Sequence, residues 1–324
     1  MRAIVCEELG PPSNLVLRDV PDPPDPGPDE IKVSITARGV QFVDVLMVAG
    51  EYQTKPPLPF IPGGEGAGTV IAVGSDVSEF AIGDSVMTRH PPGSYAEQAT
   101  IPAEAALHVP KTMSLEQAAG FRSAYTTAYH ALVQRGQVQP GEVLLVHGAT
   151  GGIGLAAVQV GKVLGATVIA TSGSDEKLGV VKANGADHVI NYSDGFRDQV
   201  KALTDGRGAD VIYDSIGAEV FDESMRCVNW GARILILGFV GGGPSLAKTN
   251  HLLIKGASAV GVRLGGFNEH DPDTAAANLR TLATWAEEGK ITPHVSHTFP
   301  LEQAADALQA IIDRKVIGKC VLTN

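Results

Sequence analysis

The sequence predicts an α/β fold in which a doubly wound parallel sheet is inserted into a β-rich domain, and three observations carry that reading. Residues 142–154, Glu-Val-Leu-Leu-Val-His-Gly-Ala-Thr-Gly-Gly-Ile-Gly, run an apolar strand straight into a glycine turn that opens an amphipathic helix. The middle of the chain alternates strand and helix patterns, whereas its beginning carries short β-type runs broken by Gly and Pro. The chain ends in a strand-like segment, Lys319-Cys320-Val321-Leu322, with no local partner to pair with.

From 1 to 122, Ile31-Lys32-Val33-Ser34-Ile35 alternates as a half-buried strand does, and Gly68-Thr69-Val70-Ile71-Ala72-Val73 is a second β-type run. Pro21 to Pro28 is a proline-rich connector that cannot be helical. From 123 to 264 the candidate strands are 143–147, 167–171, 188–191, 210–214, 233–237 and 257–262, most of them separated by helices. Near-continuous apolar runs such as Ile234-Leu235-Ile236-Leu237 suit a parallel sheet covered on both faces. The tail from 265 to 324 holds helices around Thr274–Glu288 and Leu301–Arg314 before the last strand. That strand is expected to return to the first sheet. The predicted domains are therefore 1–122 with 265–324, and 123–264.

The glycine turn has the shape that holds a pyrophosphate. Ala149-Thr150-Gly151-Gly152 brings main-chain N–H groups close to a ligand, and the helix beginning near Ile153 directs its positive end at phosphate oxygens. Gly154 lets the helix lie close against the strand. Glycine turns also join elements without any ligand. Here a buried-type strand precedes the turn, helix follows it, and a new strand, Thr167-Val168-Ile169-Ala170, comes at βαβ distance. A Rossmann dinucleotide site is the reading that uses all of these.

Composition narrows the class. At 324 residues, two domains are expected, and 44% hydrophobic with 19% charged residues is globular. Apolar runs are too short to span a bilayer, and no signal peptide is visible at Met1-Arg2-Ala3. The excess of 36 acidic over 25 basic residues gives a net charge of −11, which repels nucleic acid and anionic membranes. Cys6, Cys227 and Cys320 are far apart and lack metal or redox spacing. The expectation is a cytoplasmic enzyme.

The tip of the second strand of the parallel sheet selects the cofactor. An NAD site usually places an acid there for the ribose 2′-OH, but this chain has Thr171-Ser172-Gly173. Asp175 and Glu176 come later, after a candidate N-cap at Ser174. Lys177 can swing back toward a 2′-phosphate, and Tyr192 can add a hydroxyl, so NADPH is expected over NADH. A metal is not expected: His90, His108, His130 and His147 lack Cys or acidic companions at ligand spacing, and His147 reads as a core residue.

With these parts in place, the chain resembles the quinone oxidoreductase (zeta-crystallin) branch of the medium-chain dehydrogenase/reductase superfamily over nearly its whole length. Gly39-Val40-Gln41-Phe42-Val43-Asp44 is similar to the segment beside the nicotinamide, where zinc relatives carry a ligand cysteine at the place of Gln41. In Pro62-Gly63-Gly64-Glu65-Gly66-Ala67-Gly68, Gly64 stands where those relatives have a histidine ligand. Gln41 departs from the branch, which commonly has Asn there. The resemblance implies a GroES-like catalytic domain from 1–122 and 265–324. It also implies cofactor contacts from Thr127, from Ile216-Gly217 and from Phe239-Val240, and a substrate-mouth role for Tyr52. Packing of Tyr52 against Pro57 and Pro59 is the alternative.

Without a metal, substrates must already be electron-poor: quinones, or carbonyls conjugated to an alkene. Hydride then moves from NADPH, and donors aimed at the distant oxygen lower the barrier, with Gln41 and Tyr52 as candidates. A 2-enoyl-thioester reductase is the nearest alternative, with Arg89, Arg122 and Arg263 as candidate cations. An NADPH-binding protein with little turnover is the alternative of another class. The strand at 257–262 ends the predicted sheet, and its open edge suits pairing into a homodimer.

Overall fold

The structure, a computed structural model, describes residues 1–89 and 93–324. Its backbone contacts divide the chain into two units, Met1–Ser123 with Ala286–Asn324, and Ala124–Trp285. The first unit opens with the hairpin β1 (Arg2–Cys6) and β2 (Leu15–Asp19). Its longest strand is β3 (Glu30–Val40), where the alternation seen in the sequence buries Ile31, Val33 and Ile35 on one face. Helix α1 (Phe42–Ala49) follows directly and ends on Gly50. Strands β4 (Glu65–Val73), β5 (Ser85–Arg89), β6 (Gln98–Pro102) and β7 (Ala106–His108) come next, then the short helix α2 (Leu115–Ala119).

Helix α3 (Arg122–Tyr129) leads into the second unit and runs on as a wide π turn, His130–Arg135. Alternation of strand and helix then begins with β8 (Val143–Val146), α4 (Gly152–Val163), β9 (Thr167–Ser172), α5 (Asp175–Ala183), β10 (His188–Asn191) and α6 (Arg197–Leu203). It continues through β11 (Ala209–Asp214), α7 (Ala218–Ser224), β12 (Val228–Ile236), α8 (Thr249–Lys255), β13 (Ser258–Gly261), α9 (Leu264–His270) and α10 (Pro272–Glu287). All six strands are parallel, in the order β10-β9-β8-β11-β12-β13, so the chain direction across the sheet reverses between β8 and β11. Side chains of β8 to β12 form an apolar core with α6 and α7, including Leu145, Ile169, Val200, Phe221 and Ile234. Strand β12 starts earlier than its apolar run implies. Its pairing jumps from Val228 to Arg233 opposite β11, and the intervening bulge pushes Trp230 into solvent.

The chain then returns to the first unit with β14 (Val295–Pro300), α11 (Ala304–Ile312) and β15 (Lys319–Thr323). As the sequence requires, β15 finds its partner far back in the chain, antiparallel to β3 with Cys320 opposite Val40. It completes a seven-stranded sheet, β14-β15-β3-β4-β5-β7 with β6 on β3. The second unit runs past the expected end at 264, to Trp285. The reason is packing within that unit. Gln134 Nε2 donates to Asn278 Oδ1 (3.0 Å), Tyr129 meets Trp285 with ring centroids 5.4 Å apart, and His130 stacks on Phe267 at 4.1 Å. No helix of the described residues is long and apolar enough to cross a membrane.

Candidate functional site

In the second unit, the chemistry-bearing residues gather at the carboxyl ends of the parallel strands. After β8 the chain passes His147 and turns sharply at Gly148, whose φ of +64° belongs to the left-handed region. A Cβ on Gly154 would stand 2.2 Å from Gly148 O, so α4 can approach the turn only as glycine. At Gly151, by contrast, a Cβ would meet nothing closer than Gly148 O at 3.4 Å. The protein's own atoms do not demand a glycine there, and the missing side chain leaves room for a ligand to approach the backbone. Gly151 is the N-cap of α4 and contributes no side-chain cap. The first-turn N–H groups of Gly152, Ile153 and Gly154 have no carbonyl to reach within the helix, which fits a diphosphate.

The flanking segments are tied to this turn. Ala149 N–H donates to Thr171 O (3.2 Å), fixing the turn to the tip of β9, and Gly148 lies against Ser215 beyond β11. At the tip, Ser172 and Gly173 carry no acid, and the Tyr192 ring lies over Gly173, about as close as a Cβ there would allow (3.3 Å). Ser174 is the N-cap of α5 by backbone geometry, but its hydroxyl makes no capping bond. The acid that follows is turned aside: Asp175 Oδ1 accepts from Asn191 Nδ2 at 2.9 Å. Lys177 stands in the first turn of α5, half-buried, and Thr127 is half-buried on α3.

Beyond β11, Asp214 shapes the next loop. Its carboxylate is buried and accepts the N–H groups of Ile216 (2.8 Å) and Gly217 (2.9 Å). Burial raises its pKa against those two bonds. Val240 N–H and Gly241 N–H then donate to Ser215 O and Ile216 O, so Ile216-Gly217 and Phe239-Val240 form one wall. Sequence reasoning missed Asp214, although an Asp at a strand end, two and three residues before those N–H groups, is a legible turn signal.

In the first unit, β3 delivers Gln41 to the N-cap of α1. Gln41 N–H donates to Asp44 Oδ2 (2.9 Å), and Tyr95 Oη donates to the same oxygen (3.0 Å). Asp44 is fully buried, and burial pushes its pKa up to about 7. The Gln41 side chain turns the other way, with Oε1 accepting from Ser123 Oγ at 2.8 Å. Ser123 N–H donates to Glu65 Oε2 (2.9 Å), while Glu65 Oε1 holds Lys319 Nζ (2.8 Å) in a buried ion pair. Tyr52 lies beyond the other end of α1, half-buried, its N–H on Leu46 O (3.2 Å). Ser123, Lys319 and Tyr95 carry no local signature, because each meets its partner only through sheet pairing or helix packing.

The histidines are separately engaged. His147 is fully buried between Thr171 Oγ1 and Ser224 Oγ, each 2.8 Å away, and burial lowers its pKa to about 3. His108 lies on Glu79 O (3.0 Å) at the surface, and His90 falls outside the described residues. The three cysteines are free and buried, and burial raises all three thiol pKa values, those of Cys227 and Cys320 to about 12. Among the described residues, no group of three or more His, Cys, Asp or Glu converges as a metal would need.

Residues 27–111 match the alcohol dehydrogenase GroES-like domain, and residues 152–281 match the zinc-binding dehydrogenase family. Quinone oxidoreductase-like protein 2 of Mus musculus is 39% identical over 99% of this chain and 92% of its own. A homolog of that protein from Nematostella vectensis is 38% identical over 100% of this chain and 89% of its own. The crystal structure of Escherichia coli quinone oxidoreductase complexed with NADPH superposes with a TM-score of 0.90 at 29% identity, covering 100% of each chain. The chain belongs to the quinone oxidoreductase branch of the medium-chain dehydrogenase/reductase superfamily. Its seven-stranded sheet is the GroES-like part of that fold, and its six-stranded parallel sheet is the Rossmann part. As a member of this branch it is an oxidoreductase that uses a nicotinamide cofactor and a small-molecule substrate.

Proposed function

We propose that the protein is a zinc-independent, NADPH-dependent reductase of quinones or α,β-unsaturated carbonyl compounds. One observation carries the reading. Where zinc relatives have ligands, this chain has Gln41 and Gly64, and both oxygens of the adjacent Glu65 are already engaged by Lys319 and by Ser123 N–H. The site offers an amide and a carboxylate already paired with an ammonium where a metal would need thiolate and imidazole. When bound, the reduced nicotinamide supplies the hydride.

The chain's own residues do the rest. Ala149 through Ile153 hold the diphosphate. Ser172, Gly173, Lys177 and Tyr192 receive the 2′-phosphate, Thr127 contacts the nicotinamide, and the Ile216-Gly217 and Phe239-Val240 wall excludes water. Gln41 donates to the substrate oxygen on which negative charge grows, and Tyr52 lines the mouth as a second donor. One such donor is worth roughly 3 kcal/mol where water is excluded.

The enoyl-thioester alternative needs cations free for phosphates. Arg122 does not supply one, since its guanidinium is buried and donates to Ala105 O. Three unbridged cysteines fit a reducing cytoplasm, and the open edge at β13 fits a homodimer. After dialysis against a chelator, NADPH absorbance should fall with 1,4-benzoquinone, and more slowly with crotonyl-CoA or with no acceptor. Faster loss with crotonyl-CoA would favour the thioester reading. Loss with neither acceptor would favour a binding protein, and activity that disappears with the chelator would end the metal-free one.

A further inference from the structure

Gln41 is fixed at its backbone but not, by that alone, at its amide. Its N–H is held by Asp44, and Asp44 N–H returns a bond to Gln41 O at 3.1 Å. A glutamine amide rotates about a broad, two-fold terminal torsion. Left free, it would present its oxygen to a substrate as readily as its NH2 group, and an oxygen aimed at developing negative charge raises the barrier.

We propose that Ser123 is the positioning residue that sets this choice: its hydroxyl takes the oxygen end of the Gln41 amide and leaves the NH2 end to face the substrate. The inference rests on the reading of Gln41 as the donor to the substrate oxygen. Ser123 Oγ donates to Gln41 Oε1 at 2.8 Å. Ser123 is itself held from behind, by the bond from its N–H to Glu65 Oε2. Glu65 is immobilised in turn by the buried Lys319 ammonium on β15, a residue 254 positions away. Two charge-assisted bonds, Lys319 Nζ to Glu65 and Ser123 N–H to Glu65, thus anchor Ser123 from the strands flanking β3, and such bonds are stronger than the neutral one its hydroxyl makes to the Gln41 amide.

Ser123→Ala removes the hydroxyl and keeps the backbone N–H on Glu65, so the ion pair and the start of α3 survive. With 1,4-benzoquinone as acceptor, kcat should fall about 5- to 30-fold, with the Michaelis constant for NADPH unchanged and the Tm lowered by no more than about 4 °C, the stability cost of one lost hydrogen bond. Ser123→Thr should restore most of the rate. Gln41→Leu should slow the enzyme further, and adding Ser123→Ala to it should do nothing more. Independently of turnover, the Gln41 side-chain NH2 signal in nitrogen-resolved NMR spectra, assigned by its loss in Gln41→Leu, should become more mobile in Ser123→Ala. A slow Gln41→Leu beside a Ser123→Ala of wild-type rate and unchanged amide mobility would remove Ser123 alone. Wild-type rate in Gln41→Leu would remove Gln41 from the reaction and this inference with it.

Discussion

Asp44 shows how far one residue's surroundings can shift its chemistry. An exposed aspartate titrates near 3.9, whereas burial beside Tyr95 holds this one at about 7. Between those values the native state binds a proton that the unfolded chain does not. The group's contribution to stability is full below about pH 4 and is lost as pH rises to about 7. Asp44→Asn keeps an oxygen for both Gln41 N–H and Tyr95 Oη and cannot ionise. The Tm of the wild type should therefore fall relative to that variant across this window, and parallel Tm curves would refute the assignment. His147 is constrained in the opposite sense. Ser224 Oγ gives its proton to Val220 O (2.7 Å), so His147 must donate from Nε2 and accept at Nδ1 from Thr171, a neutral ring at every working pH. On the reading of Lys177 as the partner of a 2′-phosphate, its removal should discriminate between the two cofactors. Lys177→Ala should raise the Michaelis constant for NADPH by about tenfold or more, the equivalent of some 1.4 kcal/mol, and leave that for NADH near its original value. Equal effects on both would take Lys177 out of the phosphate site. The acid-free tip of β9, with Lys177 in the helix that follows, was legible because it is a local pattern. The meetings of Asp44 with Tyr95 and of Glu65 with Lys319 were not legible, because residues far apart in sequence are brought together only by tertiary packing.

The turn between β8 and α4 is the element proposed to hold the cofactor diphosphate, and two of its glycines differ in their surroundings. Gly154→Ala forces a methyl against Gly148 O and should cost about 1–3 kcal/mol of stability by overpacking, read as a lower urea midpoint. Gly151→Ala meets no such contact, and its φ of −80° suits any residue. Its urea midpoint should stay near that of the wild type while NADPH affinity, measured by titration, drops about tenfold or more, some 1.4 kcal/mol. If both variants lost stability equally, the turn would be structural and the ligand argument would fail. At this scale the sequence was read well. Strands expected at 143–147, 167–171 and 188–191 coincide with β8, β9 and β10 to within a residue, because apolar runs bounded by glycine leave little freedom. Strand β12 was missed at its start, where Asn229-Trp230-Gly231 reads as a turn but continues the strand through a bulge.

For the whole molecule, the open question is what covers the edge of the parallel sheet. Among the described residues, strand β13 is the edge of that sheet and pairs only with β12, and α8, joining β12 to it, exposes Leu253 and Ile254 to 80% and 67%. Exposed edges and apolar helix faces together are unfavourable in an isolated chain. Light scattering should give about twice the 33.7 kDa chain mass, and Leu253→Asp with Ile254→Asp should return a folded monomer. A wild-type monomer would refute the dimer.

The sequence by itself determined the alternation of strand and helix, the glycine turn with its adjoining helix, and the absence of an acid at the tip of β9. Each is a pattern of neighbours, set by local sterics and by which residues must be buried. Tertiary structure alone decided that Lys319 would meet Glu65, that Ser123 would take the oxygen of Gln41, and that the second unit would extend to Trp285. Those outcomes depend on β15 pairing with β3 and on α10 packing beside Gln134 and Tyr129. Long-range pairing of that kind is selected by the burial of the whole sheet, which no single stretch of sequence contains.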